Sequence, residues 1–426
     1  MIEKIKKLLK QQNIDTYQIN VLDKESFQLY FVHEKVETIR KVVFTDISVN
    51  LFIHKDGKIG GSKFVLYSTS SDEEIKEKIK EASTKALSTL NEPHELVKGD
   101  KPLEFISEPF IKGKELKEVA EEIATAIFNT PKSNKNATLN ATEIFINKYV
   151  NHIVNSNNLD KCETFYTGMI ETIPTFNKKD ESVEIYAQKN FNTFDKDELT
   201  KYIQEQLFEV EARANAAKEE LPSKLAVVLR SEEIASILRN YQYDLSYSSL
   251  YAHANMLKKG DRIQNEDAPN KITLSVCGNI KGCSLSSNFD EDGSEYKDRT
   301  IIKDGEVVSF YGPNRFAQYL KEENTGNLKI CKLEPGNLTK DDLNGKEYLE
   351  CLQFSGIQSD ILNNYVGGEV RLAIYHKDGK AIPVTGFSIS AKLSDVLNTI
   401  RLSKEITHDP VYCGPKFALF DGFTIL

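Results

Sequence analysis

The stretch LPSKLAVVL at residues 221–229 divides the chain into two parts of different character. Proline has no amide hydrogen to donate and disfavours helical backbone in the residue before it, so Pro222 ends the long helix that is predicted for residues 195–220. Residues 225–229 form a short, continuous apolar run, which is typical of a buried strand. A boundary between two domains is therefore predicted near Pro222.

Upstream of this boundary, residues 1–221 are predicted to form an N-terminal α/β half with antiparallel strands and long helices. Asp56-Gly57 lies between two apolar runs and predicts a β-hairpin. Ser71, followed three residues later by Glu74, predicts a capping box at the start of a helix over residues 71–90. A polar, proline-containing stretch divides this half into sub-blocks of about 1–100 and 101–221, the second with further helices at 113–130 and 195–220.

Downstream of the boundary, residues 222–426 are predicted to form a β-rich C-terminal domain. Helical stretches become short, and turn dipeptides such as Asp304-Gly305 and Asp378-Gly379 separate the apolar runs. Strands are predicted at residues 225–229, 272–276, 300–302, 307–311, 328–333, 368–375 and 381–390. The fold class expected for the whole chain is therefore α+β.

Composition excludes several classes of function. The 426 residues carry a formal charge of −9, so the chain lacks the basic surface that phosphate-driven binding of nucleic acid needs. No apolar run reaches the 18 residues of a membrane span, and residues 1–12 lack the apolar stretch of a signal peptide. The six scattered cysteines are then expected to be reduced thiols in the cytoplasm. No direct nucleic-acid or membrane partner is expected.

The residues alone contain no recognisable catalytic constellation. No two of the seven histidines lie within five positions of each other, and neither His33-Glu34 nor His94-Glu95 continues into a His-Glu-x-x-His zinc motif. Nucleophile elbows and phosphate-binding loops are missing. The acidic run at residues 290–295 lacks the ligand spacing of a calcium loop and is interpreted as a solvated turn. These absences favour binding or a subunit role over autonomous catalysis.

The order and spacing of several short motifs in the second half are nevertheless specific. Together they resemble the TldD/PmbA family, whose members were once named modulators of DNA gyrase, over most of residues 222–426 and more loosely upstream. The motifs are FDEDG (289–293), RTII (299–302), DGEVV (304–308), LEPGNLT (333–339), GGEVR (367–371), KAIPV (380–384), GFSIS (386–390) and LSDVL (393–397).

The resemblance implies one of two branches. TldD-type members resemble zinc peptidases with His-Glu-x-x-x-His on a helix that follows the first strand of the C-terminal domain, whereas TldE (PmbA)-type members lack this motif. The equivalent positions here hold Arg239, Asn240 and Asp244. A guanidinium stays charged and cannot ligate zinc, and an amide cannot act as a general base. No catalytic residue and no metal ligand is therefore expected in this chain, which resembles the TldE type.

The TldD branch also has a cysteine ligand near its C-terminus. Cys413-Gly414 lies too close to the end of the chain to be its equivalent, and the ligand position is expected around Arg401. Cys413, with His408 five residues upstream, is interpreted as a small buried thiol.

The resemblance implies a metal-free subunit of a cytoplasmic metallopeptidase complex that cleaves or matures unfolded peptides. Zinc is expected in a TldD-like catalytic partner, and the peptide is expected to be held by strand addition. Two alternatives remain open. The chain could be a homodimeric, non-enzymatic module that binds peptides or proteins, as a gyrase modulator would, or a stand-alone metallopeptidase with unrecognised ligands. The sequence does not identify the peptide-contacting residues.

Overall fold

The computed structural model describes residues 1–107, 110–179 and 181–426. The helices of this described part are α1 (Ile2–Gln11), α2 (Asp72–Ala86), α3 (Leu116–Phe128), α4 (Lys196–Asn215), α5 (Ser231–Asp244), α6 (Tyr247–Tyr251), α7 (Asn314–Leu320) and α8 (Leu393–Thr399), with a 3-10 turn at Asp341–Leu343.

The first nine strands belong to one sheet in the N-terminal half. They are β1 (Thr16–Val32), β2 (Lys35–Lys55), β3 (Lys58–Leu66), β4 (Leu90–Asn91), β5 (Leu103–Ile106), β6 (Ala137–Asn155), β7 (Asp160–Asn177), β8 (Ser182–Glu184) and β9 (Ala187–Phe191). The strand order is β4-β3-β2-β1-β6-β7-β5, and β8 and β9 both pair with β7. Both predicted sub-blocks therefore contribute strands to the same sheet.

The hairpin and the capping box predicted from sequence are confirmed. Asp56 and Gly57 form the two-residue turn between β2 and β3, both with positive φ (50° and 73°). The Ser71 hydroxyl accepts the Glu74 amide at 3.2 Å, and the Glu74 carboxylate accepts the Ser71 amide at 2.9 Å. Strand β1 pairs with β2 along its whole length, from Thr16 to Val32, with one register shift between Tyr30 and Phe31.

All four N-terminal helices cover one face of the nine-stranded sheet, in two separate groups. Helices α1 and α2 bury a core with Ile19, Val49 and Leu51, whereas α3 and α4 bury another with Leu29 and Ile144. Because successive side chains of a strand point to opposite faces, the odd-numbered residues of β1 line this helix-covered face.

Fourteen strands of the described residues form two sheets in the C-terminal half. They are β10 (Ala226–Arg230), β11 (Leu274–Cys277), β12 (Arg299–Lys303), β13 (Glu306–Val307), β14 (Ile330–Leu333), β15 (Tyr348–Asp360), β16 (Tyr365–Lys377), β17 (Lys380–Val384), β18 (Phe387–Lys392), β19 (Arg401–Leu402), β20 (Ile406–Asp409), β21 (Tyr412–Pro415), β22 (Phe417–Phe420) and β23 (Thr424–Ile425).

These two sheets share a single large core. The eight-stranded sheet has the order β19-β22-β10-β15-β16-β18-β23, with β17 beside β16, and the six-stranded sheet has the order β13-β12-β11-β14-β21-β20. Helix α5 contributes to the core that both sheets line, together with fully buried residues such as Leu274, Leu349 and Phe423. The α+β fold class predicted from sequence is confirmed.

Helix α4 joins the two halves, and it ends earlier than predicted. The helix stops at Asn215 rather than near residue 220, because the chain turns extended at Ala216 and Ala217 bridges Val384 of β17. The Arg213 guanidinium donates to the Arg371 carbonyl at 2.5 Å. Pairing with the second half therefore replaces the last predicted turn of the helix.

The acidic run at residues 290–295 is not the solvated turn predicted from sequence. The Asp290 side chain is 2% exposed, and its carboxylate accepts the backbone amides of Asp292, Ser294 and Asn327 at 2.8–2.9 Å. Neighbouring Phe289 packs against Ile153, on the sheet face opposite the helices. The FDEDG motif is thus a folded loop that docks the second half onto the first.

Candidate functional site

Helix α5 holds the positions that the sequence singled out. It begins directly after β10, and Glu232 and Glu233 in its first turn are favourably placed relative to the helix dipole. Its buried apolar residues recur at helical spacing, which fixes the helix in the C-terminal core. They are Ile234, Ile237, Leu238 and Tyr241.

The N-terminal end of α5 is buried and rich in carboxylates. The Glu209 carboxylate from α4 pairs at 2.6 Å with the Arg230 guanidinium, which precedes α5, and also accepts Gln353 Nε2 at 3.1 Å. Burial and, to a smaller extent, the nearby Glu232 raise the pKa of Glu233 to about 8. Glu233 Oε2 has no hydrogen-bond partner in the described structure. This end is therefore a structural junction between the halves, at which Glu209 and Glu233 are buried while Arg230 stays partly exposed.

The C-terminal end of α5 carries the three positions of the zinc motif. Arg239 is exposed, and Asn240 donates through Nδ2 to the Ser359 hydroxyl and to the Ser236 carbonyl. Asp244 is buried, and its two carboxylate oxygens accept the backbone amides of Met256 at 2.6 Å and Leu257 at 3.0 Å. The three side chains do not converge on one point. Asn240 and Asp244 bind different parts of the chain, and Arg239 lies at the surface.

These donors do not fit a zinc ion. Among the three positions only Asp244 offers a ligand atom, and both of its oxygens already bind amides of the 256–257 loop. A zinc site in a protein needs three or four N, S or O ligands. Within residues 1–107, 110–179 and 181–426, no group of three His, Cys, Asp or Glu side chains is placed to hold a metal ion.

The two C-terminal positions considered from sequence lie outside α5, on other elements of the C-terminal half. Arg401 pairs with Asp421 at 3.2 Å. Cys413 is buried with Cys277, Cys283 and Ile330. Burial raises the pKa of Cys413, so this thiol is a poor nucleophile near neutral pH.

An open strand edge beside α5 was not predicted from sequence. Strand β10 pairs with β15 only as far as Glu350, so the β15 edge from Leu352 to Asp360 has no strand partner in the described structure. Register shifts between Cys351 and Gly356 kink this stretch. Three exposed apolar side chains lie on α5 or just after it and β15. They are Tyr243 on α5, Met256 in the segment after α5, and Leu362 in the segment after β15. Chain order gave no signal for this edge, since it depends on where β10 leaves the sheet.

A second open edge lies in the N-terminal half. Strand β3 pairs with β2 only from Ile47 onward, so the outer edge of residues 35–46 has no strand partner in the part of the chain described. Val36, Ile39 and Val43 on this stretch are exposed, Val43 by 70%. Long unpaired edges with apolar side chains are unusual unless another chain covers them.

A membrane-crossing helix is not found, since no helix among the described residues is both long and apolar enough. No curated protein sequence matches the chain. Residues 222–425 match the domain family described as the PmbA/TldA metallopeptidase C-terminal domain.

Three solved structures share the fold along the whole chain. TldE from Thermococcus kodakarensis has a TM-score of 0.77 at 18% identity, covering 99% of both chains. A proposed modulator of a DNA gyrase from Thermotoga maritima has a TM-score of 0.77 at 15% identity, covering 100% of both chains. Another proposed gyrase modulator, from Bacteroides thetaiotaomicron, has a TM-score of 0.79 at 14% identity, covering 99% of this chain and 98% of that one.

The domain match and the motifs that carried the resemblance occupy the same residues. FDEDG builds the loop that docks the two halves, and GGEVR lies on β16, which pairs with β15 on the side away from the open edge. The identities to the solved structures are too low to indicate more than a common fold. Residues 222–425, nearly half of the chain, therefore form a domain of the PmbA/TldD family.

Proposed function

We propose that this protein is a TldE-type, metal-free subunit of a cytoplasmic peptidase complex that acts on unfolded peptides. In this proposal a TldD-like partner supplies zinc and the cleavage chemistry. This protein completes, together with that partner, a closed chamber that admits unfolded peptides, and it holds the peptide.

The engagement of Asp244 carries the proposal. A carboxylate whose two oxygens both accept backbone amides has little capacity left for a metal ion, and releasing it would leave two amides without partners. Arg239, five residues before Asp244 on the same helix, carries a fixed positive charge. The helix that would bind zinc in an active subunit therefore serves here as a folding element.

The open edge of β15 supports a role in holding peptide. An extended peptide that adds to an exposed edge is bound through its backbone, largely independently of its side chains. The stretch from Leu352 to Asp360 offers such an edge next to α5, flanked by exposed apolar side chains. This suits a substrate that is recognised for being unfolded rather than for its sequence.

The open edge of β2 supports an assembly with a chain of the same fold. Residues 35–46 combine unpaired backbone groups with exposed Val36, Ile39 and Val43. A related subunit would present the same edge, and two such edges can pair around a two-fold axis. The partner is either a TldD-like subunit or a second copy of this chain.

Metal content and peptidase activity test the proposal, first on this chain alone and then after mixing with a TldD-like protein carrying His-Glu-x-x-x-His. The expected result is no stoichiometric metal and no cleavage alone, with cleavage of an unfolded peptide when both chains are present. The control replaces the first histidine of the partner's motif, which should abolish cleavage by the mixture.

Two other outcomes would select the alternatives. Stoichiometric zinc and cleavage by the isolated chain would indicate a stand-alone metallopeptidase and overturn the assignment of Asp244. A homodimer that binds peptide but neither joins nor activates a TldD-like partner would indicate a non-enzymatic binding module of the gyrase-modulator kind.

A further inference from the structure

The part of the open β15 edge that a second chain can reach is short. Ser355, Gly356 and Gln358 are exposed. A Cβ added to Gly356 would meet no atom within 4 Å, so the space beside the strand is empty at this point. Further along the strand, an amide of α5 bonds to the Ser359 hydroxyl. We call residues 355–358, which lie before this contact, the reachable segment.

The main chain of the reachable segment has one free side. Strand β16 pairs with this part of β15 on the other side. Among the described residues, no backbone group outside β16 bonds to the main chain of residues 355–358. Residues of an antiparallel pair alternate between bonding to the partner strand and pointing both N–H and C=O away from it. Every second residue of the segment therefore presents a free N–H and a free C=O to an added chain.

A peptide that is added to this edge alternates in the same way. A peptide residue that bonds to β15 turns its N–H and C=O toward the edge, and the next residue turns both away. Proline has no N–H, and an N-methyl group likewise removes the donor. At a bonded position, either one deletes a hydrogen bond and places carbon where the edge must come close. At the next position the same group faces away from β15 and removes no bond.

The charged side chains that bond to the segment are of both signs. The Ser355 hydroxyl donates to the Glu369 carboxylate at 2.8 Å and accepts Nε of the Arg371 guanidinium at 2.8 Å. These two charges offset each other, so selection by the charge of the peptide is not expected here. The main chain is then the part of the peptide that this edge can distinguish.

We propose that this edge selects peptides by the amide hydrogens of alternate residues. A substrate then needs unsubstituted N–H groups spaced two residues apart, and it tolerates proline only at the positions between them. The inference rests on the proposed function, because it concerns the same edge. It goes further by naming the peptides that are excluded, which are those with consecutive N-substituted residues across the bound stretch, such as proline-rich sequences.

Three fluorescein-labelled peptides of identical side-chain sequence test the proposal by fluorescence anisotropy with the full chain. One is unmodified, one carries N-methyl groups on four alternate residues, and one carries them on four consecutive central residues. The two modified peptides have the same number of methyl groups, but only the alternate pattern leaves one edge of the peptide complete. The alternate peptide should bind within about threefold of the unmodified one, and the consecutive peptide about tenfold or more weaker, because it loses its bonds to the edge.

The adjacent variants Ile357→Pro and Gln358→Pro test the protein side of the same contact. Of two successive N–H groups, one bonds to β16 and the other faces the open side. The variant that loses the bonded N–H should be the less stable one in urea. The other should keep its stability and bind the unmodified peptide about tenfold more weakly.

A photoreactive phenylalanine analogue in the unmodified peptide locates the contact, and cross-links are expected within residues 352–360. Equal affinity of the two N-methylated peptides, no binding of the unmodified peptide, cross-links confined to other segments, or unchanged binding in the more stable proline variant would overturn the proposal. The proposed function would fail separately, through cleavage by the isolated chain or through no cleavage by its mixture with a TldD-like partner.

Discussion

The two halves of the molecule bury their sheets in different ways. In the C-terminal half, two sheets enclose one continuous core that includes α5, and the match to the PmbA/TldD family lies there. In the N-terminal half, helices cover one face of a single sheet and form two separate cores with it. A strand edge of that sheet stays open at residues 35–46. The second half is thus organised around one core, whereas the first leaves open the strand edge at which we propose that a partner binds.

The junction between the halves should be the most sensitive point. Glu209→Ala would leave the partly buried Arg230 without its partner, and the expected loss is about 2–4 kcal/mol in the free energy of unfolding. Urea denaturation measures it. Glu205→Ala, one turn earlier on α4, removes a half-exposed pair with Lys416 and should cost about 1 kcal/mol or less. Equal losses for the two variants would contradict a buried junction.

A core mutation in α1 would test whether the first half has independent cores. Leu9→Ala removes a fully buried side chain from the core of α1 and α2, at an expected cost of about 2–4 kcal/mol. Hydrogen exchange should show the lost protection in α1, α2 and β3, with the core of α3 and α4 and the C-terminal core unchanged. In contrast, Leu349→Ala in the single C-terminal core should lower protection throughout that half. Uniform loss in Leu9→Ala would show that the cores are coupled.

Glu233 predicts a pH dependence of stability. Burial raises its pKa in the folded state to about 8, above the ordinary value of 4.5, so the folded state binds more protons than the unfolded state between these values. Stability contributed by this group is therefore lost as pH rises from about 4.5 to 8. Glu233→Gln, which stays neutral, should raise stability by about 1–3 kcal/mol at pH 8 and by little at pH 4.5.

Thermal unfolding of the wild type and of Glu233→Gln at pH 4.5, 6, 7 and 8 measures this difference. Glu73→Gln, at an exposed first-turn position of α2, is the control and should follow the wild-type curve. A constant offset between Glu233→Gln and the wild type across this pH range would contradict the role of burial.

A substitution at the open β2 edge should change the free energy of unfolding least of all and should weaken association with another chain. Val43→Lys places a charge on a side chain that is already 70% exposed, so the free energy of unfolding should change by less than about 0.5 kcal/mol. Association with a second copy or with a TldD-like partner should weaken, as measured by sedimentation velocity. Leu87→Lys, exposed at the end of α2, should have no effect on either quantity. Unchanged association in Val43→Lys would exclude this edge as the interface.

Local patterns predicted the features that depend on a few neighbouring residues. Asp56-Gly57 and the pair of Ser71 and Glu74 form the predicted turn and cap because each needs only contacts within four residues. The end of α4 was predicted five residues too late, since Ala217 pairs with Val384, which is distant in sequence. The acidic run was predicted to be solvated because nothing local reveals that Asn327 donates its amide to Asp290.

For the candidate site, too, the sequence predicted where the residues lie but not which distant residues they contact. The sequence placed Arg239, Asn240 and Asp244 on a helix after the first C-terminal strand, where α5 has them. That Asp244 binds the amides of Met256 and Leu257 could not be predicted, because the loop that supplies them has no distinctive composition.

The bond between Glu209 and Arg230 also bears on how the protein folds during synthesis. Glu209 lies in the last helix of the first half, and its partners, Arg230 and Gln353, emerge from the ribosome later, Gln353 after 144 further residues. Until then α4 holds a carboxylate on a surface that is later buried, and Ala217 lacks its bridge to Val384. The surface of α4 around Glu209 therefore stays uncovered until most of the second half has been synthesised. A ribosome that stalls before residue 353 would leave this surface accessible to proteases and chaperones.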